Sequence, residues 1–457
     1  MTAIYSARWV LPIASAAIDF GAVVVEGDKI VAIGVRDEIA ARFPQVQVTD
    51  FGTSVILPGL VNVHSHLELT VMRGFLEPEE HDFFSWLRKL TIARMAMDAN
   101  DLFASAACGA VEAARAGITC VGDSSSVATR TMKAVSEVGL RGIVYQESFG
   151  PDPNVAEQAV AGLRRELDAM RAMETSTVRA GVSPHAPYTV SARQLKMISR
   201  LATDDKLPLM MHAAESQAEK SLLLEGTGAF ADSLRQRNIE WEAPGISTIQ
   251  YLARHGVMET KPLLAHCITV DGDDIETIRV KGASVAHCPK SNAKLRHGRA
   301  PLAKFLAGDL KVGIGSDSVA SNNKCDILEE SRFALLSARA SETATATESL
   351  NAETMLFAAT LGGARALALD HEIGALREGM QADLTVVRLD GAHQQPFTNP
   401  VDALIFSSSG GDVRMTMVAG KEIYRDGQVV TADELALTSQ LVTVRQKLED
   451  AAGNARF

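Results

Sequence analysis

The residues best placed to do chemistry are histidines standing just past apolar runs. His64-Ser65-His66 follows Val55-Ile56-Leu57-Pro58-Gly59-Leu60-Val61. Side chains of an extended strand alternate with a period of two, so His64 and His66 point to one side. At the end of a buried strand, two such imidazoles can hold one divalent metal from that side. His212 ends the run 207–211, His266 ends 262–265, and Asp317 follows 312–316. A recurrence of this kind is far harder to reach by chance than one histidine pair. Three imidazoles and one carboxylate suit Zn²⁺, with Fe²⁺ as the alternative, and leave a position for water, whose pKa the metal lowers toward neutrality. Glu215, in His212-Ala213-Ala214-Glu215, is then placed as a proton shuttle, and His266 as a stabiliser of the developing oxyanion. His287 also closes an apolar run and is a pocket candidate. His81, His255, His371 and His393 have no such setting and are assigned to the surface.

These residues need a scaffold that gathers strand ends. Strand candidates centre on Leu60, Cys120, Ile143, Gly181, Met210, Leu264, Val285 and Ile314, with helical stretches such as 101–116 and 154–173 between them. Eight alternating units imply a parallel sheet closed as a (β/α)8 TIM barrel, with its active site at the C-terminal strand ends. His64 and His66, His212, His266 and Asp317 then follow strands 1, 5, 6 and 8. The flanking segments read as short strands. Residues 22–26 and 29–34 form a hairpin turning at Gly27-Asp28, and strands at 383–387, 413–418 and 421–424 come later. The expected division is 1–57 and 369–457 as two parts of a small β-sandwich, around a barrel at 58–368. A last helix over 432–452 carries Leu435, Leu437, Leu441 and Leu448, and the polar run 341–349 reads as a loop or helix end.

The bulk properties fit a soluble globular protein. Of 457 residues, 46% are hydrophobic and 22% charged, ordinary for a globular protein, and the net charge of −11 argues against a nucleic-acid surface. The five cysteines include no C-x-x-C pair, which points to a reducing, cytoplasmic setting without disulfides. Cys267 and Cys288 read as small buried residues. No apolar run reaches the roughly 18 residues of a membrane helix. The stretch 9–17 is interrupted by Pro12 and reads as part of the mature protein. A homodimer is the expectation for such an enzyme.

Taken together, these residues resemble the amidohydrolase superfamily, in its branch of cytosine, guanine and adenosine-type deaminases and triazine hydrolases. The resemblance spans nearly the whole chain. It is carried by Pro58-Gly59-Leu60-Val61-Asn62-Val63-His64-Ser65-His66, Ser183-Pro184-His185-Ala186-Pro187-Tyr188, His212-x-x-Glu215, Ala265-His266-Cys267, His287-Cys288-Pro289-x-Ser291-Asn292 and Gly315-Ser316-Asp317-x-x-x-Ser321-Asn322-Asn323. The segment 374–384 resembles the return to the sandwich. The resemblance implies one metal on His64, His66, His212 and Asp317, with His266 on the metal's water and His185 on substrate. It also implies a deaminase of an adenine-type nucleoside or related N-heterocycle, releasing ammonia. A triazine-type displacement of chloride or alkylamine, or hydrolysis of a cyclic amide, is the alternative. Glu68 and Trp86 resemble pocket residues of aminofutalosine deaminase-like proteins. Members acting on S-adenosylhomocysteine and methylthioadenosine place a ribose-binding Glu about nine residues after that Trp, where this chain has Met95. Glu68 is then the substitute carboxylate. The roles of His287, Gln146 and Arg296 stay open.

Overall fold

A computed structural model of the chain describes residues 2–340 and 350–454. The polar run 341–349 lies outside them. Eight strands, β1 (Leu60–Ser65), β2 (Ile118–Ser125), β3 (Arg141–Ser148), β4 (Val178–Pro184), β5 (Met210–Ala213), β6 (Leu263–His266), β7 (Ser284–His287) and β8 (Lys311–Ile314), contain the eight expected strand centres. Strands β1 to β4 form one parallel sheet in sequence order, and β5 to β8 form a second. Two parallel bridges connect them: Val182 of β4 with Leu209 before β5, and Ser65 of β1 with Asp317 past β8.

The strands are buried along almost their whole length, which is why they read as apolar runs rather than alternating ones. Helices between them carry conventional start and stop signals. Asp98 closes a capping box on Ala99–Arg115 and Asp271 one on Gly272–Lys281, while Gly139, Gly226 and Gly282 end their helices in the left-handed region. Helix Ala99–Arg115 turns a face of Ala106, Ala110, Ala113 and Ala114 inward, so it lies close against the strands. Among the described residues no helix is long and apolar enough to cross a membrane.

The two chain ends build one sheet together. Its nine strands include Thr2–Val10, Ile18–Glu26, Lys29–Val35 and Ser54–Pro58 from the N-terminal side, and Leu384–Arg388, Val413–Val418 and Lys421–Arg425 from the C-terminal side. The halves join where Leu384–Arg388 pairs antiparallel with Ser54–Pro58. Hydrogen bonding is continuous across this sheet, so the two chain ends do pair with each other. Tyr5, Val23, Ile56, Val386 and Met415, drawn from both halves, share one apolar cluster. The long apolar run 55–61 is divided between this sheet and β1. Gly59 is the joint, and a Cβ there would lie 1.9 Å from Thr119 Oγ1.

A buried ion pair fastens the terminal sheet to the parallel strands. Arg141, opening β3, donates from Nε to Asp383 Oδ2 at 2.8 Å and from Nη2 to Oδ1 at 3.1 Å, and Ala419 N donates to Oδ1 at 2.8 Å. Removing one member of a buried pair strands the other charge, at a cost of about 3–5 kcal/mol. Arg141→Met is therefore expected to lower the unfolding free energy by about that amount in a denaturant titration. Adding Asp383→Asn should recover part of the loss. A single-variant cost below about 1 kcal/mol, the range of an exposed pair, would show that the bridge does not fasten the two parts.

Candidate active site

The ends of β1, β5, β6 and β8 converge. His64, at the end of β1, is fully buried, and neither ring nitrogen finds a hydrogen-bond partner among the described residues. Asp317 Oδ1 lies 3.4 Å from His64 Nε2 and 3.6 Å from His66 Nε2. His66 Nε2 and His212 Nε2 face one another at 3.2 Å. His212 Nδ1 points at the His185 carbonyl at 2.9 Å, so that nitrogen carries the proton and Nε2 keeps its lone pair. In the same way His266 Nδ1 donates to Asn292 Oδ1 at 2.8 Å, leaving Nε2 bare and without a partner among the described residues. Three groups, His64–His212–His266, His64–His66–Asp317 and Glu147–His185–His212, each bring their donor atoms within 4.8 Å of one another.

This donor set fits a divalent cation. Lone pairs converging in a dry site repel one another, and an imidazole oriented through its other nitrogen is the usual posture of a metal ligand. Burial pushes the imidazoles toward the neutral, ligating form: His66 is lowered to about 3, and His212 and His185 fall well below the usual imidazole range. The facing imidazoles hold Asp317 well below the usual carboxylate range, against its burial. Its Oδ2 accepts from Ser291 Oγ at 2.5 Å and Ser321 Oγ at 3.2 Å, which turns Oδ1 toward the histidines. Cys267 and Cys288 are buried thiols outside all three groups, and burial raises their pKa.

The backbone at these strand ends is unusual. Ala214, His266 and Asp317 have φ of +54°, +73° and +56°, in the left-handed region that non-glycine residues seldom adopt. Such strain costs on the order of 1–3 kcal/mol per residue and persists where surrounding bonds over-determine it. Glu219 supplies some of those bonds, accepting from Ala214 N at 2.9 Å, Glu215 N at 3.0 Å and Thr248 Oγ1 at 2.7 Å. Gly315 leaves room for the cluster, since a Cβ there would lie 3.0 Å from His64 Cβ and 2.9 Å from Cys288 Sγ.

Glu215 sits beside the cluster. Its Oε2 accepts from Tyr188 OH at 3.2 Å, and its Oε1 lies 3.6 Å from both His266 Nε2 and His297 Nε2. Burial and the nearby Asp317 raise its pKa to about 8. The pocket above is lined by His66, His185, Glu215 and Asp317, and also by Glu68, Trp86, Arg94 and Glu147. His185 donates or accepts at Thr189 Oγ1 over 2.8 Å, with its ring 4.7 Å from that of His212. Trp86 is buried on the lid helix Phe83–Met95, in one apolar cluster with Leu90, Leu295 and Leu448. Glu68 touches the pocket, but its carboxylate is taken up by the wall. It accepts from Ser125 Oγ at 2.6 Å, Ser126 Oγ at 2.6 Å and Ser126 N at 2.9 Å.

Several residues here had no role in the sequence reading: His297, Tyr188, Arg94 and Glu147. Glu147 Oε2 lies 3.6 Å from Arg94 Nη1. Gln146 is a wall tie, donating to Ser126 O at 2.8 Å and Glu147 O at 3.0 Å. His287 lines a separate small cavity with Pro289 and Arg299, and Arg296 is a left-handed residue with φ of +58°. His81, His371 and His393 are exposed and His255 is half-buried, all outside the pocket. A roomier groove of about 620 Å³, lined by Arg73, Glu112, Arg115 and Glu434, contains no histidine and lies apart from this chemistry.

Residues 55–423 match the amidohydrolase family, and 21–45 match a bacterial imidazolonepropionase-like composite domain. The 5-methylthioadenosine/S-adenosylhomocysteine deaminase of Nitratidesulfovibrio vulgaris (strain Miyazaki F) is 32% identical, over 95% of this chain and 94% of its own. The 5'-deoxyadenosine deaminase of Methanosarcina mazei is 31% identical, over 94% of this chain and 93% of its own. An adenosine deaminase from Xanthomonas campestris, solved with bound zinc, superposes with a TM-score of 0.84 at 26% identity over 98% of both chains. Atrazine chlorohydrolase from Arthrobacter aurescens TC1, complexed with zinc, shares the fold at a TM-score of 0.84 and 22% identity, over 97% of this chain and 99% of its own. Aminofutalosine deaminase from Helicobacter pylori does so at a TM-score of 0.76 and 22% identity, over 93% of this chain and 100% of its own. The chain belongs to the amidohydrolase family, hydrolases of C–N bonds other than peptide bonds.

Proposed function

We propose that this protein is a mononuclear, metal-dependent aminohydrolase that deaminates an adenine-type nucleoside. Its eight parallel strands close as a (β/α)8 barrel, a reading supported by the two bridges that tie β4 toward β5 and β8 back to β1. The observation that carries the activity is Glu215: a buried carboxyl raised to about 8, facing His266 and His297, beside a cluster of bare imidazole nitrogens. The relatives named for deamination of thioadenosine and deoxyadenosine nucleosides support the substrate class.

In this reading His64, His66, His212 and Asp317 hold the metal, and zinc suits three imidazoles and a carboxylate. A divalent cation there supplies a Lewis acid and lowers the pKa of water toward neutrality. Glu215 moves the protons. As a base it takes one from the water that adds to the ring carbon bearing the amine. As an acid it hands that proton to the adjacent ring nitrogen, and it relays the next to the departing amine. The balance is one water and one aminopurine consumed, one oxopurine and one ammonia formed. Tyr188 orients the carboxyl through Oε2, and His266, fixed by Asn292, donates no proton of its own from Nε2. His185, Trp86 and Glu68 shape the pocket walls.

Metal analysis tests the ligand set. One zinc or other divalent ion per chain is expected after metal-supplemented expression. His64→Ala should lose both metal and turnover, and two ions per chain would contradict the mononuclear site. Glu215→Gln should keep metal and fold while kcat falls about 10²–10⁴-fold, the usual contribution of a positioned acid–base. Retention of more than a tenth of wild-type kcat would remove Glu215 from proton transfer. Ammonia release from adenosine, 5'-deoxyadenosine and methylthioadenosine is the direct assay. Chloride or alkylamine release from triazines without ammonia from any nucleoside would replace this function with a displacement reaction.

A further inference from the structure

Four carboxylates line the pocket, and three of them are spoken for. Glu68 is bound by Ser125 and Ser126. Asp317 gives Oδ2 to two serines and turns Oδ1 to the histidines. Glu215 accepts from Tyr188 and faces His266 and His297. Glu147 is different. Its side chain is 3% exposed, and Oε1 has no hydrogen-bond partner among the described residues. Oε2 has only the Arg94 guanidinium, at 3.6 Å, beyond hydrogen-bonding distance. A buried carboxylate oxygen left unbonded is costly, so the site is built for a donor that arrives with a ligand.

Position narrows what that ligand is. Glu147 Oε1 lies 4.0 Å from His66 Nδ1, whereas the Nε2 atom of that ring meets His212 and Asp317. One of its carboxylate oxygens also lies within 4.8 Å of ring nitrogens of His185 and His212, so Glu147 stands beside the cluster on its His66–His185 side. A group that reaches it is a substituent on the heterocycle, not the amine being replaced. Arg94 is the one Lys or Arg among the residues lining the pocket, and its guanidinium lies 5.1 Å from the Phe149 ring centroid. An anionic substituent drawn to Arg94 would meet Glu147 and be repelled. A hydroxyl both donates and accepts, so it can bond to Glu147 and take a bond from Arg94 together.

We infer that Glu147, paired with Arg94 of the lid helix, is the carboxylate that recognises the sugar hydroxyls of the substrate. This assignment rests on the nucleoside reading above and names the residue that separates nucleosides from free bases. Met95, the next residue on that helix, is 79% exposed and is not among the residues lining the pocket.

The test compares adenosine with 2',3'-dideoxyadenosine, which lacks the hydroxyls. In Glu147→Ala, the ratio of their kcat/KM values should fall on the order of 10-fold from wild type, the worth of one or two hydrogen bonds. Glu147→Gln keeps the volume and one acceptor, so it should fall between. It carries the test if the alanine variant does not fold. Calorimetric binding of inosine and dideoxyinosine should show the same loss of preference, and metal content should remain at the wild-type value. A ratio unchanged in both variants overturns the assignment. So does loss of metal in Glu147→Gln, which would make the residue an anchor for His66 instead. A wild-type enzyme that releases ammonia only from free bases would overturn the nucleoside reading itself, and this assignment with it.

Discussion

Everything at the C-terminal strand ends follows from burying bare lone pairs against one another. His64 has no exposed surface and no hydrogen bond at either ring nitrogen among the described residues. His66 and His212 aim their Nε2 atoms together at 3.2 Å. Unbonded polar groups in a dry interior are destabilising, and facing lone pairs more so. A divalent cation, as proposed above, offsets that cost, and a stiff scaffold holds the four side chains in place beforehand. That stiffness is visible in the outer contacts. The His185 carbonyl, Asn292 and two serines each fix a ligand or neighbour from behind.

The same demand explains the strained backbone. A strand delivers side chains to alternating faces, but four strand ends must aim at one point. Left-handed turns at Ala214, His266 and Asp317 re-aim the chain immediately past β5, β6 and β8. Each costs energy that local bonds must offset. Glu219 does so with two backbone amides, and the peptide nitrogen of Asp317 is held by the His64 carbonyl at 2.9 Å. That last bond also ties the end of β8 to β1, so this contact between the two sheets and the placement of the carboxylate are one event.

The sequence revealed those features that depend on local pattern. Each strand is buried on both faces and so appears as an apolar run. Each site residue directly after such a run was visible for that reason, and the structure brings His64, His66, His212, His266, Glu215 and Asp317 together. Residues delivered by irregular segments left no such trace. His297 reaches Glu215 from the loop after helix Pro289–Lys294, and Arg94 enters from one face of a lid helix whose apolar pattern only marks burial. Glu147 lies inside the strand β3, one residue before its end, where a charged side chain reads as an exception rather than a signal. Glu68 shows the converse. Its position beside His66 promised a free carboxylate, but spacing says nothing of Ser125 and Ser126, which come from the neighbouring strand end and consume it. Pairing of residues 54–58 with 384–388 is likewise invisible in either segment alone, so the continuity of the terminal sheet had no sequence sign.

Burial also sorts the proton inventory. Desolvation disfavours charge, so it pushes imidazoles and carboxyls in opposite directions. His66 and His297 fall to about 3 and His287 to about 4, which leaves them neutral at physiological pH and unable to act as acids there. Glu215 rises to about 8 by the same mechanism. A group whose pKa lies near the working pH can both give and receive a proton within a turnover, whereas one several units away can do only one of these readily. Neutral imidazoles beside a carboxyl near 8 reverse the usual order of acidity of the two groups, which suits the proton-transfer role proposed for Glu215. One physical cause, exclusion of water from the strand ends, produces both halves of that division.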